Sequence, residues 1–440
     1  MLLPLLVPVA CGEDDCCEQT DLIEDDTQVA GDVMEEVVET WPAPFEPGVE
    51  VRGNLKILRL KGTYYEMGRQ HATFLRDQLL IGVDTLENDP TLSMLEPLAE
   101  ALGFIDEAMV QSYPSMLDEC QGMADVLGDE GWTMGRCIAL AYGEVILELM
   151  TMPSSSCTQF AAKGAATGGG ELLHGRNLDW DMIPYLLEHP VVIVRAPEGR
   201  IPYVVVGFPG NVAPYNGINA AGLAIASNEN STKDDKDRTG RSSVQMQAEI
   251  LATATSLAEA RAFIEAQDRM TSENLLVSDG ANRTAAVFEL TANNMAVTEI
   301  GQSGVVYITN HFVHEDMVPL GTNVSDDAST KSRFMRVKQL LEPGHADSVH
   351  GSLDIAAAVS VLRDRYNPIK DTTAAEDAFD NEGTIANNGC IYSMVFAPER
   401  RMFWLATGDL PIPANTFVGF SVDELLGLGE AAIPDPVQIQ

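Results

Sequence analysis

Apolar positions recur at helical spacing through the first third of the chain and at strand spacing afterwards, and the change of period divides the molecule. Residues 55–60 (Leu-Lys-Ile-Leu-Arg-Leu) alternate and predict a short strand. Gly62 and Thr63 open a helix running to about Leu80, with Glu66 in its first turn. A helical pattern occupies 92–150, broken near Gly103, Pro114 and Gly131. At Met152-Pro153-Ser154-Ser155-Ser156 small polar residues mark a loop, and strands follow over 158–162, 172–175, 191–195 and 203–207. Helices are predicted over 244–252 and 257–267, the second with a Ser256/Glu259 capping box. Strands over 275–278, 285–290, 296–300 and 305–309, helices over 333–341 and 355–363, and a hairpin of 391–396 with 402–406 complete the chain. Helices fall between groups of strands without regular βαβ alternation, and no internal repeat is present. The pattern predicts an α+β fold rather than a doubly wound sheet.

Of the 440 residues 45% are hydrophobic and 21% charged, enough to bury a sizeable core. With 27 Lys+Arg against 66 Asp+Glu the formal net charge is -39, which repels phosphate backbones and argues against a nucleic-acid partner. Attraction to anionic membrane surfaces is disfavoured for the same reason. Residues 1–10 are apolar, Cys11 follows, and no Lys or Arg occurs before Arg52. An apolar run ending in Ala-Cys is similar to a bacterial lipoprotein signal with Cys11 as the lipidated residue. The alternative is the frayed apolar N-terminus of a cytoplasmic protein. Ten apolar residues are too few for the roughly 20 that span a bilayer. We read 1–11 as an export signal and 12–50, acidic with Pro42, Pro44 and Pro47 near its end, as a disordered tether. The expected location is extracytoplasmic, with membrane attachment through a lipidated Cys11. The seven cysteines include no CxxC and no Cys/His zinc spacing, so no structural metal is expected. Cys120 and Cys137 lie in apolar helical contexts and read as buried small hydrophobes.

Cys157 begins a predicted strand just after the Ser154-Ser155-Ser156 loop, and Arg176 and Asp179 sit three apart one hairpin later. An Arg near a thiol stabilises the thiolate, and a carboxylate can hold an ammonium group. On residue types alone, a lone Cys near Arg-x-x-Asp is more often structural than catalytic. Cys157-Thr158 followed by Gly175-Arg176-Asn177-Leu178-Asp179 resembles the N-terminal-nucleophile cysteine hydrolases, the group of the acyl-coenzyme A:6-aminopenicillanate acyltransferase family, choloylglycine hydrolases and acid ceramidases. Four further segments, in order, resemble the acyltransferase branch: Gly62-Thr63-Tyr64-Tyr65-Glu66-Met67-Gly68-Arg69-Gln70-His71; Gly217-Ile218-Asn219-Ala220-Ala221-Gly222-Leu223 through Asn228; Ile308-Thr309-Asn310-His311-Phe312; and Ser332-Arg333-Phe334. The resemblance covers roughly residues 55–425.

The resemblance implies a four-layer αββα sandwich with an α-rich N-terminal segment over 51–156 and a catalytic part over 157–440. It also implies self-cleavage between Ser156 and Cys157, the two parts remaining associated. Carried over residue by residue, Cys157 is the nucleophile and its freed α-amino group the base. Asp179 holds that ammonium, and Arg176 stabilises the thiolate. Asn310 positions the α-amino group or the oxyanion, Asn228 is a second oxyanion donor, and Arg333 completes the polar network. The implied activity is cleavage of an N-acyl linear amide with no metal or organic cofactor, or acyl transfer from a thioester to an amine. His174 and His311 read as packing or hydrogen-bonding residues, because an α-amino base makes a histidine unnecessary. Tyr65, Glu66 and Gln70 read as structural, Trp180 as pocket wall, 233–238 as a solvated loop and Cys390 as a strand cysteine. A non-catalytic surface lipoprotein that reuses the fold as a binding module is the rival from another class. A serine hydrolase lacks its G-x-S-x-G turn.

Overall fold

The computed structural model describes residues 41–89, 92–149, 156–180, 184–375, 383–387 and 389–429. The readings placed on Cys11 and on residues 1–40 lie outside the described residues. A hairpin of β1 (Gly48–Arg52) and β2 (Leu55–Gly62) starts the fold, so the chain is already in a sheet at the end of the acidic stretch read as a tether. Helices α1 (Tyr64–Phe74), α2 (Arg76–Asn88), α3 (Leu95–Ala101), α4 (Phe104–Gln111), α5 (Pro114–Leu127) and α6 (Met134–Leu149) follow. Thr63 and Glu66 form a reciprocal capping box that starts α1. The single helix expected over 63–80 is two: the chain bends at the fully buried Leu75, sending α1 along α5 while α2 turns away. Gly103 and Gly131, both at positive φ, break the helical run where the sequence placed breaks.

After Cys157 come β3 (Thr158–Ala162), β4 (Leu173–Asp179), α7 (Pro184–Glu188), β5 (Val191–Pro197), β6 (Tyr203–Gly207), β7 (Asn216–Asn219) and β8 (Leu223–Glu229). Helices α8 (Ser243–Thr253) and α9 (Leu257–Glu265) lead to β9 (Glu273–Asp279), β10 (Thr284–Leu290), β11 (Met295–Glu299) and β12 (Val305–Ile308). The chain closes with α10 (Ser329–Leu341), α11 (Ile355–Leu362), the short pair β13 (Tyr366–Asn367) and β14 (Thr372–Thr373), then β15 (Cys390–Ala397), β16 (Met402–Ala406), β17 (Val418–Ser421) and α12 (Val422–Leu425).

Two sheets stack face to face. One has nine strands in the order β1-β2-β5-β6-β7-β8-β9-β10-β11, the other six in the order β12-β3-β4-β15-β16-β17. Strands β3, β4 and β12 of the smaller sheet touch β8, β9 and β10 of the larger. Helices α1, α8 and α9 pack on the outer face of the larger sheet, and α10 and α11 on that of the smaller, which makes the mixed, four-layer αββα arrangement. Pairing is antiparallel except where β2 lies parallel to β5, so a strand from before Cys157 is built into the sheet formed after it.

The inner strands are buried on both faces, β3, β4 and β15 of the smaller sheet and β5, β6 and β8 of the larger among them, and 191–194 and Tyr203–Gly207 read as continuous apolar runs. The β7–β8 hairpin was not predicted as strand. Its Gly217, Asn219, Ala220 and Gly222 have low strand propensity, and the pairing that makes them strand is tertiary. Cys120 and Cys137 depart from their reading as separate buried hydrophobes: they are buried, but joined as a disulfide that ties α5 to the start of α6. Among the described residues no helix is long and apolar enough to cross a membrane.

Candidate active site

Cys157 precedes β3 at the sheet's end and is 1% exposed. Thr158 pairs directly with Asn177 on β4, so alternation puts Cys157 on the opposite face, the one that Arg176 shares. That face looks into the space between the sheets, where Arg176 reaches the carbonyl of Tyr215 just before β7. The Arg176 Nη2 lies 3.9 Å from the Cys157 sulfur, and the thiol points to the backbone carbonyl of Asp179 at 3.6 Å. Asp179 ends β4, and its carbonyl also accepts the Ser156 N–H at 3.2 Å, which holds the Ser156–Cys157 junction against the strand end.

The Cys157 carbonyl is held from both sides. Asn228 of β8 donates to it at 3.5 Å and to the Ile308 carbonyl at 3.2 Å. Arg333, fully buried on α10, donates to it at 2.5 Å and to Thr158 Oγ1 at 3.0 Å. The same guanidinium donates to Asn310 Oδ1 and, through Nε, to Ser329 Oγ, each at 3.0 Å. Asn310 in turn donates to the Glu229 carbonyl at 2.9 Å, and its backbone N–H is received by Thr330 Oγ1 at 2.9 Å. The chain thus brings together Cys157, Arg176, Asp179, Asn228, Asn310 and Arg333, drawn from β3, β4, β8, α10 and the turn after β12. Asn228 and Arg333 are both engaged with the carbonyl of Cys157 itself.

Asp179 is the electrostatic centre of this group. Burial pushes its carboxyl up to about 7, although Arg333, Asn387, Cys390 and Arg176 all pull it down. Its Oδ2 accepts from the Asn387 amide at 2.5 Å, and its Oδ1 is buried without a hydrogen-bond partner among the described residues. Cys390 pairs with Asp179 across β15 and β4, is fully buried, and donates to its own neighbour's carbonyl, Tyr392, at 3.3 Å. Burial and the facing Asp179 raise its thiol well above the ordinary value, consistent with a strand cysteine held as a thiol. Trp180 packs edge-on against Tyr215, with ring centroids 5.1 Å apart, and Cys157 shares a core cluster with Tyr142 and Val145 of α6, Tyr215 and Tyr392.

The histidines stand apart from this chemistry. His174 bonds Ser278 at 2.9 Å, and burial lowers it to about 3; His311 bonds Thr330 Oγ1 at 2.8 Å and is lowered to about 4. Tyr65 donates to Asp125, and Gln70 bridges both backbone groups of Lys61, so these residues join α1 to its neighbours. The 233–238 run is tied down: Asp235 receives Asn293 and Asn294, and Arg238 pairs with Glu107 of α4. Among the described residues no group of His, Cys, Asp and Glu is placed to hold a metal ion. Asn387 and the Tyr215 carbonyl were not found from sequence. The first lies in the 384–390 lead into β15, and the second acts through its backbone, where residue type carries no signal.

A model of the acyl-coenzyme A:6-aminopenicillanic acid acyl-transferase family matches residues 166–410, more than half of the chain, beginning after Cys157. This is narrower than the span read from motifs. Among solved structures, the N-acylethanolamine-hydrolyzing acid amidase ortholog of Caenorhabditis elegans is similar at 16% identity and a TM-score of 0.38, over 55% of this chain and 93% of its own. A mutant conjugated bile acid hydrolase of Clostridium perfringens is similar at 15% identity and a TM-score of 0.41, over 61% and 93%. Penicillin V acylase of Agrobacterium tumefaciens is similar at 16% identity and a TM-score of 0.36, over 57% and 83%. No curated protein sequence matches significantly.

Proposed function

We propose, on the premise that the chain belongs to the acyl-coenzyme A:6-aminopenicillanic acid acyl-transferase family, that it is a self-processing cysteine amidase. It cleaves an N-acyl linear amide through an acyl-enzyme on Cys157. Acyl transfer is the same chemistry with an amine in place of water at the second step. In self-processing the Cys157 thiol attacks the Ser156 carbonyl carbon. The C–N bond to Cys157 breaks, the nitrogen takes a proton, and a thioester remains. Water cleaves the thioester, leaving a Ser156 carboxylate and freeing the thiol. The released α-amino group, with an ordinary pKa of about 7.7–8.0, can act as a base near neutral pH where an amide nitrogen cannot.

The observation that carries this reading is the convergence on Cys157: Arg176 Nη2 at 3.9 Å from its sulfur, Arg333 and Asn228 on its carbonyl, and the Ser156 N–H on Asp179. A binding module has no use for a buried thiol inside such a set. In the cut enzyme Arg176 stabilises the thiolate, Asp179 holds the α-ammonium, and Asn228 and Asn310 donate to charge developing on the substrate carbonyl, with Arg333 fixing both the Cys157 backbone and Asn310. One such donor lowers the barrier by roughly 3–4 kcal/mol. We also place the protein outside the cytoplasm, anchored through Cys11. The Cys120–Cys137 disulfide supports an oxidising compartment.

The test is intact mass spectrometry of the part beginning at Cys157 after exposure to N-acyl amines and, separately, to an acyl thioester with a free amine. The expected result is an added acyl mass on that part with stoichiometric release of amine, both absent in Cys157→Ala. An adduct from the thioester alone, discharged only by amine, selects acyl transfer. A correctly cut protein that forms no adduct with either class would refute the amidase reading.

A further inference from the structure

Two observations around Asp179 go beyond the six residues named so far. First, its carboxylate is split in its environment: Oδ2 accepts from Asn387 Nδ2 at 2.5 Å, while Oδ1 is buried with no hydrogen-bond partner among the described residues. Second, Asn387 is itself locked. Its Oδ1 accepts the Gly389 N–H at 2.8 Å, and the Gly389 carbonyl accepts the Trp180 N–H at 2.8 Å, so Asn387 and Gly389 are both held to the end of β4. Asn387 is 5% exposed.

We infer that Asn387 is a positioning residue for the reaction at Cys157: its amide grips one oxygen of the Asp179 carboxylate and turns the other oxygen toward the Ser156–Cys157 junction. The inference rests on the proposed self-processing mechanism and deepens it. An amide that donates to a carboxylate favours the charged form. It acts here against complete burial, which disfavours charge, and beside the other groups that face Asp179: Arg176 on its own strand, Arg333 from α10, the Cys390 thiol from β15 and the Cys157 thiol before β3. The arginines supply charge, but each is committed elsewhere, Arg176 to the Tyr215 carbonyl and Arg333 to Cys157, Thr158, Asn310 and Ser329. Asn387 donates to the carboxylate at Oδ2 and the Cys390 thiol also bonds it, while Oδ1, without a hydrogen-bond partner among the described residues, is the oxygen that would receive the α-ammonium made by the cut.

The test uses the full chain made by cell-free synthesis, so that cutting starts from intact protein, and follows the fragment beginning at Cys157 by mass from pH 5 to 9. Asn387→Asp is nearly isosteric and keeps the acceptor for Gly389 but replaces the donor with a second carboxyl. The expected result is an acid limb moved up by at least one pH unit, with cutting at least tenfold slower at pH 6 and recovering toward the wild-type rate at high pH. Asn387→Ala, the second variant should the first not fold, shifts the limb in the same direction by less. A purely structural role would slow cutting at every pH without moving the limb. An unshifted limb in either folded variant overturns the inference while leaving the self-processing mechanism standing. A wild-type chain that is never cut overturns both.

Discussion

Arg333 makes the widest set of contacts of any side chain at the site, four hydrogen bonds to Cys157, Thr158, Asn310 and Ser329 from a fully buried guanidinium. A lysine carries the charge but not the planar fork. Arg333→Lys should therefore slow cutting at Ser156–Cys157 by roughly a hundredfold, the scale of losing one preorganised donor, measured as the rate at which the Cys157 fragment forms. The buried histidines make a separate prediction about acid. His174 is lowered to about 3 in the folded chain, against an ordinary 6.5 once unfolded. As pH falls through 6.5 the unfolded chain takes up a proton that the folded chain refuses, so stability is lost at about 1.4 kcal/mol per pH unit for this group. His174→Asn, measured by urea unfolding at pH 7 and pH 5, should lose roughly 2 kcal/mol less over that interval than the parent chain does. At this scale the sequence made Cys157, Arg176, Asp179, Asn228, Asn310 and Arg333 legible, because ordered motifs carry them. Asn387 was illegible because its role arises from a cross-sheet approach, Asp179 to 387, 208 positions apart.

Elements were readable where local period and caps agreed, as in α5, α6 and the β15–β16 hairpin, and unreadable where tertiary pairing decided. The β7–β8 hairpin is one such case. The α1–α2 bend at Leu75 is another, since burial of that leucine has no local signature. The helix pair α1–α5 shows what the glycine of the first motif does. A Cβ on Gly68 would lie 2.1 Å from the Glu119 carbonyl, and one on Gly122 2.1 Å from the Tyr65 carbonyl, so the backbones touch directly. Gly68→Ala should destabilise the chain by about 3 kcal/mol through overpacking, read from the denaturation midpoint in an uncut Cys157→Ala background. The disulfide acts one helix further on. It closes a loop of 17 residues, and its reduction should cost about 3 kcal/mol, seen as a drop in Tm with dithiothreitol that a Cys120→Ser/Cys137→Ser double variant reproduces without reductant.

The whole molecule is organised so that a break before Cys157 need not separate its parts. Strand β2 is hydrogen-bonded along its length to β5, and Glu119 on α5 meets Arg195 on β5 at 2.5 Å in a fully buried pair beside His71, whose Nε2 accepts the Gly210 N–H at 3.0 Å. Breaking such a pair by removing one partner costs about 3–5 kcal/mol. The α+β class followed from the distribution of periods, whereas the parallel β2–β5 join did not, since pairing between segments on either side of Cys157 is invisible to a local pattern. The proposed activity depends on one event, a cut that would turn an amide nitrogen into a base. The most direct measurement is the intact mass and N-terminal sequence of the purified full chain beside Cys157→Ala. The account predicts two co-eluting parts in the parent, one beginning at Cys157, and a single uncut chain in the variant. A parent chain that stays whole, or a fragment that forms equally in the variant, would contradict it.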